Sequence, residues 1–357
     1  MSRPDESLIR DEDLRRKLED ARGKFAFDVT AKVLIRTQEE RDRVAVEKAS
    51  REAHLAAMPR VRRKRAIIRE VIETGEAITR DNLQHIHSVL ALCGLPHAKQ
   101  SLDMREYERR QGNSSLVIEA GKLMTSTGQW EAQPLPYGSR ARLLLLHLCS
   151  EAVRQKSPTI EIADSLTAFI REVGFEVTGG KTGSLAYFKQ QLNALAACRM
   201  RVGVWGPKGT STLDTKPFKA MQVWLPDNPD QQMLWPSRIT FSADFFDSLT
   251  HHALPVNMQV ARALGNSSHM LDLLFWLTYK LHRLEQPLTL TWDALHKQFG
   301  DNIADPHKFR QTFKGYIANL KTVLPKVPLA ISERGLTLSP ADANVLALPA
   351  KRTLKIR

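Results

Sequence analysis

Between residues 288 and 339 the chain sets out a short apolar helix, a tight turn, a basic amphipathic helix and a strand-turn-strand, an order that few folds can accommodate. From Asp305, a helix N-cap ahead of Pro306, apolar residues recur at Phe309, Phe313, Tyr316, Ile317, Leu320 and Leu324. These steps of three and four mark one buried helix face. Lys308, Arg310, Gln311, Lys314 and Lys321 lie largely off that face. Upstream, Trp292, Leu295 and Phe299 form a first helix that ends at Gly300, and the turn runs through Asp301, Asn302, Ile303 and Ala304. Downstream, residues 328–338 alternate around Glu333-Arg334-Gly335, a hairpin signal that puts Arg334 at the tip. Helix, turn, helix and hairpin in this order spell a winged helix-turn-helix. The second helix then has one side for a core and another for phosphates and bases. A basic outer face taken alone is most often solvated surface, and the succession of elements is what lifts this reading above that one.

Composition agrees with a polyanionic partner. Fifty-two Lys plus Arg against 39 Asp plus Glu leave a net charge of +13 on 357 residues, a balance suited to nucleic acid and equally to an anionic membrane surface. A hydrophobic content of 42% supports two or three domains with real cores. The richest apolar runs, Leu143 to Leu148 and Leu271 to Leu277, are too short to cross a bilayer, and the N-terminus lacks the pattern of a secretory signal. Cys93, Cys149 and Cys198 form no CxxC pair and read as core thiols of a cytoplasmic protein.

The expected class is α+β, mainly helical, with tandem winged-helix domains behind a helical, basic N-terminal extension. Residues 1–78 are a charged arm in which Arg60, Arg62, Arg63, Lys64, Arg65 and Arg69 put six positive charges into ten positions. A solvated helix and a direct phosphate contact are both open there. Residues 79–111 read as a helix over Leu83, Ile86, Val89, Leu90 and Cys93, followed by a polar connector. The first winged helix spans 112–248, with helices at 139–153, 164–173 and 183–198, the last apolar at Leu185, Phe188, Leu192 and Leu195. Two strands, 200–205 and 219–225, close it around a long loop, and 238–242 reads as a further strand. The second winged helix spans 249–345, beginning with the packed helix 271–284, and 346–357 form a basic tail.

Gly112-Asn-Ser-Ser-Leu116, Glu119-Ala-Gly121, Gln133-Pro-Leu-Pro-Tyr-Gly138, Ala194-Leu-Ala-Ala-Cys-Arg199 and Leu234-Trp-Pro236 resemble the plasmid-encoded RepA-type replication initiators. Trp276-Leu277, Leu281-His282-Arg283, Gln298-Phe299-Gly300 and Phe309-Arg310 continue that likeness, which covers roughly residues 80–340. The resemblance implies two winged helices that bind iteron repeats in double-stranded plasmid origin DNA, promote opening of the origin and recruit host replication proteins, an initiator and a helicase. It implies that the C-terminal winged helix supplies the main reading helix, with Phe309 as core and Arg310 facing DNA. The N-terminal one adds DNA contact and dimerisation, so a homodimer in the absence of DNA is an expected state.

Several motifs approach chemistry without reaching it. Gly179-Gly-Lys-Thr182 lacks the P-loop's first glycine at position 175, which is Phe. Lys181 and Thr182 are read instead as phosphate contacts at the next helix's start. His85-Ile-His87 with Tyr107 suggests the site of a rolling-circle nickase, but that geometry needs a strand. The surrounding period reads as helical, where residues two apart diverge by about 200°. His251-His252 read as a helix C-terminus. No catalytic set, metal site or cofactor is expected, and the chain reads as a binding protein. Arg310, Gln311 and Lys314 are expected in the major groove, where Arg suits guanine and Gln suits adenine. Lys308, Lys321 and Arg334 are expected on phosphates, with Lys189, Arg199 and Arg201 as weaker contacts from the first winged helix. The alternatives are the nickase and a winged-helix transcription regulator that does not open DNA.

Overall fold

The computed structural model describes residues 4–75, 79, 82–125, 127–161, 166–172, 175–180, 183–207, 209–221, 238–281, 283–301 and 303–349. They fall into two compact units, Met1–Ala66 and Ile67–Arg357. In the first, α1 (Glu12–Ala21) folds back on α2 (Phe27–Ala57). Large apolar residues are sparse here, so the core is small: Ile9, Leu14, Leu18, Ala31 and Leu34 bury one another. Polar contacts fasten it. The Gln38 side-chain oxygen accepts from the backbone N–H groups of Arg10 and Asp11 at 3.0 and 2.9 Å, and Arg41 bridges Asp11 and Asp13 at 2.6 and 2.8 Å. From Arg43 onward α2 buries no side chain. The six-cation run lies on α3 (Arg60–Glu73), a helix that crosses the boundary between the units.

The second unit begins with β1 (Leu83–His87), α4 (Ser88–Cys93), β2 (Glu106–Gln111), β3 (Ser114–Glu119), β4 (Lys122–Met124) and β5 (Trp130–Ala132). There follow α5 (Gly138–Gln155), β6 (Thr159–Glu161), α6 (Leu166–Glu172), α7 (Ser184–Ala197), β7 (Arg199–Gly206), β8 (Gly209–Thr215), β9 (Phe218–Met221), β10 (Arg238–Phe241) and α8 (Ala243–His252). The chain continues through β11 (Ala253–Asn257), α9 (Met258–Leu264), α10 (Ser268–Leu281), β12 (Leu288–Thr291), α11 (Trp292–Phe299), α12 (Pro306–Val323), β13 (Leu329–Ile331) and β14 (Gly335–Leu338).

This order repeats itself. A short strand, a short helix, a long helix, a strand, two helices and two strands occur twice. The first copy runs β1, α4, α5, β6, α6, α7, β9, β10; the second runs β11, α9, α10, β12, α11, α12, β13, β14. The small sheets agree as well, ordered β6-β10-β9 and β12-β14-β13. β1 and β11 pair antiparallel, Leu83 opposite Asn257 and His87 opposite Ala253, so the copies meet about an approximate dyad through His85 and Pro255. Matching buried positions follow, Ile86 with Val256 and Leu90 with Val260. The first copy carries two insertions that the second lacks: β2 to β5 before α5, and the β7–β8 hairpin before β9. Together β2, β3, β7 and β8 make a four-stranded sheet in that order.

Several expectations are corrected here. Residues 83–93 are a strand capped into a six-residue helix, because His87 takes the N-cap and its Nδ1 accepts from the Val89 N–H at 3.2 Å. The connector at 97–113 contains β2, and 288–291 form the strand β12. Residues 199–206 and 218–221 do not pair with each other: β7 pairs with β3 and β8, whereas β9 pairs with β10. The segment between β7 and β9 that reads as a loop is itself a strand. Its residues, Thr, Ser, Thr and Asp among glycines, carry no apolar alternation because its side chains are mostly solvated.

The two copies share one core and, inside it, one charged knot. Arg142 on α5 is 2% exposed and donates through Nε and Nη2 to Asp272 on α10 at 2.5 and 2.8 Å. Its remaining donors reach the carbonyls of Leu95, Gly138 and Pro96 at 2.6, 2.9 and 3.2 Å. Arg109 of β2 approaches the same carboxylate at 3.5 Å. Gly94, at φ +68°, passes so close that a Cβ there would lie 2.7 Å from the Asp272 Oδ2. A buried charge is tolerable only when its donors and lone pairs are met, as they are here.

Burial alone would raise the Asp272 carboxyl, but Arg142, with Arg109 nearby, outweighs it and holds the group below the usual carboxylate range. Burial pushes His97 down to about 2 and, with His252 nearby, His87 down to about 4. Both imidazoles are neutral in the fold and take up a proton near pH 6.5 once unfolded. The unfolded chain therefore binds more protons below that pH, and the denaturation midpoint is expected to fall steadily from pH 7 to pH 5. Asp272 adds its own loss only below about pH 4. Asp272→Ala, which strands Arg142 in the core, is expected to cost about 3–5 kcal/mol in denaturant unfolding at pH 7. A loss under about 1 kcal/mol, the range of exposed pairs, would show the knot to be solvated.

Candidate nucleic-acid interface

The helix-turn-helix at 292–323 is set by its caps. Thr291 Oγ1 accepts from the Ala294 N–H at 3.2 Å to start α11, and Asp305 Oδ1 accepts from the His307 N–H at 2.9 Å to start α12, with Pro306 in the first turn. α11 stops at Gly300, whose N–H reaches the His296 carbonyl at 2.8 Å. The inner side of α12 is aromatic. Phe309 and Phe313 sit 5.4 Å apart, Phe313 meets Phe299 at 5.5 Å, and Trp292 stands edge-on to Phe313 at 6.2 Å. Ile317, Leu320 and Val323 complete the buried side, and Tyr316 lies half-buried at its edge.

All six residues read from sequence as contacts of this half, Lys308, Arg310, Gln311, Lys314, Lys321 and Arg334, are exposed. They are not equivalent. The Arg310 guanidinium and the Lys314 ammonium each lie 5.9 Å from the centre of the Trp292 indole, one helical turn apart on its side. Gln311 stands beyond them and Lys308 at the opposite border of the outer face. The Lys321 ammonium donates to the Leu329 carbonyl at 2.8 Å, tying α12 to β13, and an ammonium has two further protons to offer another acceptor. Arg334 sits on the turn between β13 and β14. The turn closes at Gly335, where φ is +151° and a Cβ would fall 1.9 Å from the Leu290 carbonyl of β12. Only glycine fits there.

The topological counterpart of α12 behaves differently. Along α7 only Tyr187 is exposed, because α5, α6, β9 and the β4–β5 hairpin surround the helix. Its polar side chains are engaged inside: Gln191 and Gln190 accept from the Tyr137 N–H and O–H at 2.8 and 3.0 Å, and Arg140 stacks on Tyr187 at 4.8 Å. Lys189 is half-buried, and burial lowers its ammonium pKa. Arg199 is bound by Asp214 at 2.6 and 2.7 Å, and Arg201 by Glu119 and, at 3.4 Å, by Asp214. These two cations, expected on phosphates, each have acidic neighbours across the sheet. Lys181 and Thr182 lie outside the described residues.

The histidine pair requires a correction of another kind. His85 and His87 do lie on a strand, the geometry the nickase reading asks for. Yet His87 is buried, its Nδ1 accepts from Val89 and its Nε2 bonds Ser248 Oγ at 2.9 Å, so neither nitrogen offers a lone pair to a metal. Tyr107 donates its hydroxyl to Asp301 at 2.7 Å, and burial, with Asp301 beside it, raises the phenol above its ordinary value. Cys93, Cys149 and Cys198 are buried free thiols, each pushed up to about 12 by burial. His251 and His252 end α8, as the sequence reads.

Sequence reasoning passed over His307, Gly315, Ala318 and Thr322, which are exposed beside Gln311, and Trp292 as the support of two cations. Counting turns outward from Gln311, and not only inward from Phe309, brings out the first four. Nothing in sequence signals the indole's second role.

A cationic helix-turn-helix face on a duplicated α/β core is the class the fold defines. Residues 135–294 match the family described as plasmid encoded RepA protein. The match covers less than half of the chain and is a likeness to that family. It runs from just ahead of α5 into α11, so the cationic helix lies beyond it. Searches of curated proteins and of solved structures return no match. Among the described residues, no helix is long and apolar enough to cross a membrane.

Gly315 stands mid-helix with nothing within 4 Å of where a Cβ would be. Gly315→Ala is therefore expected to stabilise the protein by about 0.5–1 kcal/mol in denaturant unfolding. Destabilisation would mean that the outer face is covered within the protein.

Proposed function

We propose that this protein initiates plasmid replication by binding double-stranded origin DNA in a sequence-specific way, as a pair of winged helices of which the second does most of the reading. The observation that carries the proposal is α12: five buried side chains fix its inner side, and its outer side presents Lys308, Arg310, Gln311 and Lys314 next to a hairpin tipped by Arg334. The duplicated topology, the matching sheet orders and the family match support the tandem winged-helix reading. Arg310, Gln311 and Lys314 read base edges in the major groove, and Lys308, Lys321 and Arg334 hold phosphates. Repeated origin sites, the iterons, are the substrate, and the cytoplasm is the compartment. Opening of the origin and recruitment of a host initiator and helicase follow from the family reading, as does a homodimer without DNA. The chain acts by binding and not by catalysis.

The buried surroundings of α7 favour a division of labour in which the first half packs and positions while the second reads. Arg310→Ala is expected to lose about 1–3 kcal/mol on the specific duplex and to relax base choice. Lys308→Ala should instead weaken all duplexes alike and reduce the slope of log K against log salt by about one. Equal losses on specific and random duplexes in both variants would remove α12 from the reading role. Permanganate reactivity in AT-rich DNA beside the bound site separates an initiator, which unpairs it, from a regulator, which does not. A covalent adduct at Tyr107 on single-stranded origin DNA with Mg²⁺ or Mn²⁺ would establish the nickase instead.

A further inference from the structure

Trp292 does more than fill the core. It is the first residue of α11 and 5% exposed, yet three elements of the cationic face converge on it. Its ring edge packs against Phe313, which fixes the indole plane. Arg310 and Lys314 lie at equal distances of 5.9 Å from its centre. Its Nε1–H donates at 3.2 Å to the carbonyl of Ser332, the residue that opens the β13–β14 turn. That carbonyl also accepts from the Gly335 N–H at 3.3 Å, and the Ser332 N–H returns a bond to the Gly335 carbonyl at 2.8 Å. The indole thus touches the turn on which Arg334 rides while holding the two cations of α12 on its side.

Two cations one helical turn apart repel each other, and long side chains lose rotamer entropy when they are held. An aromatic face offsets both by attracting each cation through its quadrupole. We propose that Trp292 is a positioning residue of the nucleic-acid interface: it pre-orients Arg310 and Lys314 and, through Nε1, locks the Arg334 hairpin to the reading helix, so that base contacts and the wing phosphate contact engage in one register. The inference rests on the DNA-binding reading for its purpose. Its geometry can be tested without DNA.

Two substitutions take the roles apart. Trp292→Phe keeps an aromatic ring and removes the N–H; Trp292→Leu removes both. In the full-length protein without DNA, the Nε–H resonance of Arg310 should be shifted by the ring current in wild type and Trp292→Phe and move to its random-coil position in Trp292→Leu. Amide exchange at Ser332 and Gly335 should accelerate in both variants. An unshifted Arg310 in wild type, or unchanged exchange in Trp292→Phe, overturns the positioning role whether or not DNA binds.

With the duplex that wild type enriches from a randomised pool, Trp292→Phe should lower the salt slope by about one, as Arg334→Ala does, and the double variant no further. Trp292→Leu should also reduce the ratio of specific to random binding about tenfold. Additive slopes in the double variant would overturn the coupling to the wing, and an unchanged ratio in Trp292→Leu would overturn the cradle. If wild type enriches no duplex, the functional reading fails, while the resonance and exchange results still decide what Trp292 holds. Should Trp292→Leu not fold, Trp292→Phe with Arg334→Ala settles the wing and wild-type resonances settle the cradle.

Discussion

The pair between Arg142 and Asp272 is the contact on which the larger unit depends, because it joins the long helices of the two repeated halves where no water can screen them. Arg142 belongs to α5 and Asp272 to α10, and each would be an uncompensated charge in a core of leucines without the other. An apolar contact could slide; a two-pronged guanidinium–carboxylate contact has one geometry. The carbonyls of Leu95, Pro96 and Gly138 meet the rest of the guanidinium, so the segment leaving α4 and the start of α5 are held by the same group.

From that knot a second arginine leads outward. Arg109 of β2 reaches Asp272 at 3.5 Å, Asp301 at 3.6 Å and the Gln298 carbonyl, and Tyr107 on the same strand donates to Asp301. The inserted sheet of the first half is thereby attached to the turn between α11 and α12 in the second. The insertions that surround α7 thus also contact the turn that precedes α12. Two copies of one topology have diverged by what was added to the first, and α12 stays bare because only a three-residue link separates α9 from α10.

Much of this was legible in sequence where a segment's period reports its own burial. The cap Asp305, the apolar steps from Phe309 to Leu324 and the turn at Glu333-Arg334-Gly335 mark elements whose hydrogen bonds close locally, and α11, α12, β13 and β14 lie where the pattern puts them. Residues 83–93 misled, because β1 is only five residues long and pairs with β11, 170 positions away and interrupted by Pro255. A strand that short shows no alternation that a helix could not imitate. The pairing of β7 is hidden in sequence for the same reason: register belongs to partners, and β8 offers no apolar signal to identify it as one.

By itself the sequence determined the local units: the cationic helix with its aromatic inner side, the hairpin beside it, the thiols in the core and the positive balance that favours a polyanion. These depend on spacing along the chain and on charge, which are written directly in residue order. Tertiary structure alone decided which cations face solvent unpaired by acidic neighbours. Arg199 and Arg201 look like Arg310 in sequence, yet Asp214 and Glu119 compensate them across a sheet, whereas Arg310 and Lys314 meet an indole and no carboxylate among the described residues. Electrostatic availability depends on distances in space, over which attraction weakens as 1/r and is screened within about 10 Å, and those distances have no counterpart in the order of residues.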